Sequence, residues 1–274
     1  MISSGGGNCV KRLSNEVWKE ITVKNICKSP DAKFADLKQM ADYYRNNMMQ
    51  PTEDWLKSLT DNQPKDLWIT NFICGEANIS REPENGKFCK NLHQRRRTAK
   101  LVKEARALLE AEDFGKYHTF REILEKTIDM TKDLKGFGSL CCYDFSLRYG
   151  FNRDILPKEV YIHAGTSIGL ECLEYIWPSI EIKKDKKFGS MIEDLSTLPK
   201  EIADLGALHI ENFLCVFHDH LLRYENYLRG LAGDKGPNYG VYKNVKNKNG
   251  TRELKDESMR RQLDEIYRLA KKKA

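Results

Sequence analysis

The chain has 274 residues, 40% of them apolar and 31% charged, with a formal net charge of +6 at neutral pH. That length and apolar share allow one substantial core, while the absence of any apolar run near ~18 residues excludes a transmembrane helix and predicts no membrane partner. The cysteines (Cys9, Cys27, Cys74, Cys89, Cys141, Cys142, Cys172 and Cys215) contain no CxxC and one adjacent pair, which argues against a disulfide scaffold and for a reducing, cytoplasmic setting.

Residues 1–9, with Gly5-Gly6-Gly7, read as a flexible leader that lacks the apolar stretch of a signal peptide. Residues 10–230 are expected to form one helical domain. Apolar residues at helical spacing predict helices over Val10–Cys27 and over Phe34–Met49, the second through Phe34, Leu37, Ala41 and Tyr44. Pro51-Thr52-Glu53-Asp54 reads as a helix start, with Trp55, Leu56 and Leu59 as its buried stripe and Pro64 as its end. Leu67 to Cys74 is an apolar run that periodicity alone leaves open; with no partner strand nearby, a helix is expected. Gly75 to Lys87 is a loop. Cys74 and Cys89 flank that loop, but they lack compact ligand spacing, so neither a metal nor another cofactor is expected.

From Asn91 to Glu112 a helix is expected with Leu101, Val102, Ala105 and Leu109 on one side and His93, Arg96, Lys100 and Lys103 on the other. This is the most basic part of the chain: between Lys87 and Arg106 stand eight Lys or Arg residues against one acid, Glu104. A solvated face is the ordinary explanation of such a run, and a phosphate track is the functional one.

Thr119-Phe120-Arg121-Glu122 matches a capping box and opens a helix through Ile123, Leu124 and Ile128. Leu134-Lys135-Gly136-Phe137-Gly138 ends it, and a second helix runs from Ser139 to Tyr149, stopping at Gly150. Val160 to Gly165 leads into a helix reaching Tyr175, and Lys183 to Lys187 is a charged surface turn. A last core helix is expected over Ile210 to Leu228. Residues 231–274 form a basic extension ending in an amphipathic helix through Met259, Leu263, Ile266 and Leu269. Strand signals are sparse, so the expected class is all-α.

Two helices joined by a Leu-x-Gly-hydrophobic-Gly corner make an anion-binding device. The glycines permit a tight backbone, and the amides that open the second helix lie at the positive end of its dipole. Lys135, Gly136, Phe137, Gly138 and Ser139, together with Arg96, Lys100 and Lys103, are therefore the candidate nucleic-acid contacts. The corner resembles that of the helix-hairpin-helix DNA glycosylases, which remove damaged or modified bases, and the resemblance covers roughly Thr119 to Tyr175. It implies DNA as partner and hydrolysis of a base–sugar bond as activity, in repair or in attack on modified foreign DNA.

Members of that family carry a hydrophobic-Asp-x-His/Asn motif after the second helix, where this chain has Val160-Tyr161-Ile162-His163. Tyr161 occupies the place of the catalytic Asp, and Leu140 that of the lysine found in bifunctional members, so no imine-forming lyase is implied. A carboxylate elsewhere would have to serve. Asp144 and Asp154 are the candidates, with His163 beside them and Glu171 as a more solvated possibility; Asp144 is otherwise an ion-pair partner of Arg148, Asp154 a turn residue and His163 a core histidine. Tyr143, Tyr149 and Tyr161 are aromatics that would stack on a base if exposed. His218 and His220, two residues apart on a helix, face different sides and do not form a joint metal site. The alternative to an enzyme is a non-catalytic DNA-binding module built on the same corner.

Overall fold

The computed structural model describes residues 29–59, 65–74, 99–163, 165–239 and 257–274. The leader, the Val10–Cys27 helix, the 75–87 loop and the basic residues from Lys87 to Arg97, Arg96 included, lie outside the described residues.

The first described helix, α1 (Leu37–Tyr44), starts where the Asp36 carboxylate accepts the Gln39 amide at 2.8 Å, and it buries Leu37, Met40, Ala41 and Tyr44 at helical spacing. It does not stop before Pro51, as the sequence suggested. A π-helical turn over Arg45–Met49 joins it to α2 (Gln50–Ser58). The wider turn falls where the Pro51 ring would crowd a preceding carbonyl and where its missing N–H would leave a gap in the ladder. The apolar run that periodicity left open is α3 (Lys65–Cys74). Ile69, Phe72 and Ile73 are buried together with Thr70 and Asn71, so both sides of this helix are covered, which is why its sequence shows no stripe.

α4 (Ala99–Glu110) and α5 (Phe120–Thr131) follow. The capping box at the start of α5 is complete: Thr119 accepts the Glu122 amide at 3.2 Å and Glu122 accepts the Thr119 amide at 2.9 Å. α6 (Ser139–Phe151) then runs back along α5, its Ser146 and Cys142 meeting Thr127 and Thr131.

The chain is mostly helical, as expected, and a small antiparallel sheet lies among the helices. Its order is β1 (Val160–Ile162), β3 (Gly189–Ile192), β2 (Lys183–Asp185). The charged stretch read as a surface turn is β2 and the turn that follows, where Asp185 accepts the Lys187 and Phe188 amides at 2.7 and 3.0 Å. In β1 and β3, Tyr161 pairs with Met191, and Val160 with Ile192. Tyr161 and Met191 belong to one apolar cluster, with Leu56, Phe72, Phe114, Phe137 and Phe145; Val160 and Ile192 belong to a second, with Tyr44, Leu173, Phe213 and Phe217. Because successive side chains of a strand point to opposite faces, the sheet serves as a partition with a core on each side.

The second core is built from α7 (Thr166–Ile176), α8 (Lys200–Ala203), α9 (Ala207–Val216), α10 (His218–Leu231) and α11 (Glu257–Lys273). The last core helix of the sequence reading is two helices, α9 and α10, broken at Phe217. Gly169 of α7 lies so close to the Leu214 carbonyl that no side chain fits between them. α11 packs on α10 through Met259, Leu263, Tyr267 and Ala270, whereas Leu269, assigned to its stripe, is 46% exposed. Among the described residues no helix is long and apolar enough to cross a membrane.

Candidate nucleic-acid interface and buried carboxylate centre

Gly136 adopts φ +101°, a conformation glycine enters without strain, and this folds the chain sharply between α5 and α6. The corner is fixed by Leu134 N–H donating to Thr131 O at 2.9 Å and Phe137 N–H donating to Leu134 O at 3.0 Å. The Phe137 ring is 5% exposed and anchors the corner from within, so only its backbone is presented outward. Lys135, Gly136 and Ser139 are exposed. At the start of α6 the Gly138 carbonyl takes the Cys141 and Cys142 amides, while the amides of Gly138, Ser139 and Leu140 meet no acceptor among the described residues.

The first turn of α4 comes up beside this corner, with Leu101 Cδ2 only 3.3 Å from where a Cβ on Gly136 would stand. Lys100 and Lys103 are exposed on that helix, and Lys100 makes a loose contact with Glu104 at 3.8 Å. The structure thus sets the first turn of α4, through Leu101, against the corner that holds Lys135, Gly136, Gly138 and Ser139.

One turn further into α6 lies a buried polar centre between the two cores. Tyr143 is 2% exposed, and its ring lies 5.4 Å from that of His163. His163, at the end of β1, places Nε2 at 2.8 Å from Glu211 Oε1, an ion-pair contact rather than a well-aligned hydrogen bond. Thr166, in the first turn of α7, donates its hydroxyl proton to the same Oε1 at 3.1 Å. Having spent that proton, Thr166 can only accept from His163 Nδ1, 3.3 Å away. Nδ1 therefore carries hydrogen, and the carboxylate against Nε2 favours the imidazolium form. Burial lowers the imidazole's pKa, but the charge of Glu211 and, more weakly, of Asp144 outweighs it, and the net shift is upward. Burial, reinforced by Glu211, holds the Tyr143 phenol far above its usual range, so it stays protonated, and its hydroxyl has no partner among the described residues.

Only one oxygen of Glu211 is engaged by His163 and Thr166. Oε2 meets no donor among the described residues, and the Glu211 side chain retains 11% exposure.

The carboxylates chosen from the sequence fare differently. Asp144 does pair with Arg148, at 3.2 Å, but the face is interior: Arg148 is 2% exposed, donates to the Phe72 and Ile73 carbonyls at the end of α3, and lies over the Trp55 ring. Asp154 stands exposed in a left-handed turn conformation, φ 57°, and it is not among the groups that act on His163 or Tyr143. Glu171 is exposed on α7. Tyr143, Tyr149 and Tyr161 are all core residues at 2–3% exposure, so none is a surface platform for a base. Tyr161 donates to Glu159 at 3.3 Å.

Glu211 was missed by sequence reasoning. Its signal was a single acid, next to Asn212, inside the mainly apolar stretch from Ile210 to Leu214. His218 contacts its neighbour Asp219, and His220 faces the Pro30 carbonyl at 2.9 Å; no group of three His, Cys, Asp or Glu residues among the described residues is placed to hold a metal. No family model matches the chain, and neither a curated protein nor a solved structure matches it.

Proposed function

We propose that this protein binds DNA through the α5–α6 corner and acts as a base-removing hydrolase of the glycosylase type on a modified or damaged base. The observation that carries the proposal is the corner itself: three amides at the start of α6 that meet no acceptor among the described residues, with the first turn of α4 against Gly136 and Lys135 exposed. Amides at a helix start and flanking cations hold a phosphate without reading sequence, which suits an enzyme that must survey many sites. Tyr143 stands one helical turn into α6, about 6 Å along the axis, and its ring leads on to the buried His163–Glu211 contact, which offers a place for chemistry.

Binding of a labelled duplex across a salt series tests the grip. Wild type is expected to weaken steeply with salt, by about 0.9 in log–log slope for each phosphate neutralised. Gly138→Glu should abolish binding without unfolding, since Gly138 has φ −88° and ψ −173°, which any residue adopts. Salt-independent binding, or a Gly138→Glu variant that binds like wild type, would overturn the proposal.

A non-catalytic DNA-binding module is the second reading. What favours it is Tyr161, a buried phenol at the place where the resemblance calls for a carboxylate. Treating duplexes that carry different modified bases and then heating them in alkali separates the two, because only an enzyme leaves abasic, alkali-labile sites.

A further inference from the structure

We infer that Glu211, through Oε2, is the catalytic carboxylate of the base-removing reaction, with His163 and Thr166 as the residues that position it; the inference rests on the glycosylase reading above. Hydrolysis of a base–sugar bond passes through a cationic sugar, and an anion beside it stabilises the charge while directing a water molecule. In the balanced step the water oxygen bonds to the sugar C1′ as the C1′–N bond breaks. The bonding pair leaves on the base nitrogen, the water's proton passes to Glu211 Oε2, and the departing base takes a proton from solvent.

Three requirements narrow the choice of residue. The carboxylate must be held in place, it must keep a lone pair for the water, and it must not sit against a permanently charged guanidinium. Asp144 lies against the buried Arg148 guanidinium at 3.2 Å. Asp154 is exposed on a turn, where nothing among the described residues holds its carboxylate, and Glu159 lies within 3.8 Å of Arg121 and accepts from Tyr161. Glu211 meets all three, because His163 and Thr166 share Oε1 and leave Oε2 open. Tyr143, locked in its neutral form with its hydroxyl unengaged, stands as a donor at the same centre.

The test is single-turnover excision from duplexes carrying a panel of modified bases, measured together with duplex binding and thermal unfolding. Glu211→Gln is expected to lower excision by about a hundredfold to ten-thousandfold, the usual weight of a general base, with binding unchanged. Asp154→Asn is expected to stay within about threefold of wild type, since it removes no group that acts on the water. If wild type removes no base from any duplex, the glycosylase reading falls and the assignment falls with it. If wild type is active and Glu211→Gln stays within about threefold, the assignment alone is wrong.

Should Glu211→Gln fail to fold, Glu211→Asp decides. It keeps the charge but draws the carboxylate back by one methylene; a lowered rate at unchanged binding supports the assignment, and a full rate overturns it. For His163 the readout is the pH–rate profile. The charged and titratable groups facing it are Glu211, Asp144 and Tyr143. His163→Gln removes a cation from beside Glu211, so the acid limb should move to higher pH, and an unmoved limb would leave His163 with a structural role only.

Discussion

α9 carries two histidine–glutamate contacts that look alike in sequence and behave oppositely in the fold. In one, Glu211 of α9 faces His163 of β1 at 2.8 Å, with side chains 11% and 3% exposed; in the other, His209 of α9 faces Glu53 of α2 at 3.3 Å, and Glu53 is 32% exposed. Burial lowers both imidazoles, but the close, buried Glu211 more than offsets it for His163, whereas the distant, wetter Glu53 does not for His209. Hydrogen-bond bookkeeping agrees. His209 Nδ1 meets the Tyr44 hydroxyl, a group able to donate, at 3.1 Å, whereas His163 Nδ1 meets a Thr166 hydroxyl whose proton is already on Glu211. The lesson is that the chemical species at each site is set by what the second ring nitrogen meets, and no pairwise motif in the sequence encodes that.

The most forceful way to break this comparison is to remove one anion at a time. Glu211→Gln strands a buried imidazolium and should cost about 3 kcal/mol, the low end for a broken buried pair, because His163 can escape by losing its proton. At this chain length that is a fall in Tm of several degrees, roughly 2–4 °C per kcal/mol. Glu53→Gln, at a partly exposed contact, should cost no more than about 1 kcal/mol. Equal losses in thermal unfolding would mean that the two contacts are not different in kind.

Next in size is the pH dependence, and the signs are opposite. The folded pKa of His163 lies above its ordinary value of 6.5, so its stabilisation is complete below pH 6.5 and is lost as pH rises through the folded pKa. That of His209 lies below 6.5, so its stabilisation is complete above pH 6.5 and is lost as pH falls through the folded pKa. Tm measured against pH should lose part of its alkaline decline in His163→Gln and part of its acid decline in His209→Gln. Comparing each variant with wild type is essential because His218 and His220 are also shifted, upward and downward respectively. Parallel changes in the two variants would refute the assignment of charge.

Legibility in the sequence followed the range of the interactions. The capping box at Thr119 and Glu122 and the glycine corner at Gly136 are local devices, completed within a few residues, and both were readable. The sheet was not, because β1 finds its partner β3 some thirty residues later and is buried on both faces, which erases the alternation that marks a half-buried strand. At the site, His163 was recognisable from its motif and Asp144 from its spacing to Arg148. Glu211 was not, since its meaning depends on β1 and α7 arriving beside α9. Asp154 drew attention as an acid in a loop, yet its turn conformation accounts for it.

Two backbone positions give smaller effects that sharpen the contrast between a residue kept for conformation and one kept for charge. Gly136→Ala forces a side chain into φ +101°, where Leu101 also crowds the added carbon, and should cost about 1–3 kcal/mol in thermal unfolding and distort the proposed phosphate grip with it. Asp154→Gly works in the other direction. It relieves a non-glycine residue of φ 57° but adds freedom to the unfolded chain, and the two terms nearly cancel, leaving stability within about 0.5 kcal/mol of wild type. On the proposed glycosylase reading, excision should be unchanged as well, because the lost carboxylate is exposed on a turn and is not among the groups that act on His163. A loss of excision in Asp154→Gly at unchanged Tm would return the catalytic role to the carboxylate that the sequence first offered, and would leave Glu211 as no more than the counter-ion of His163.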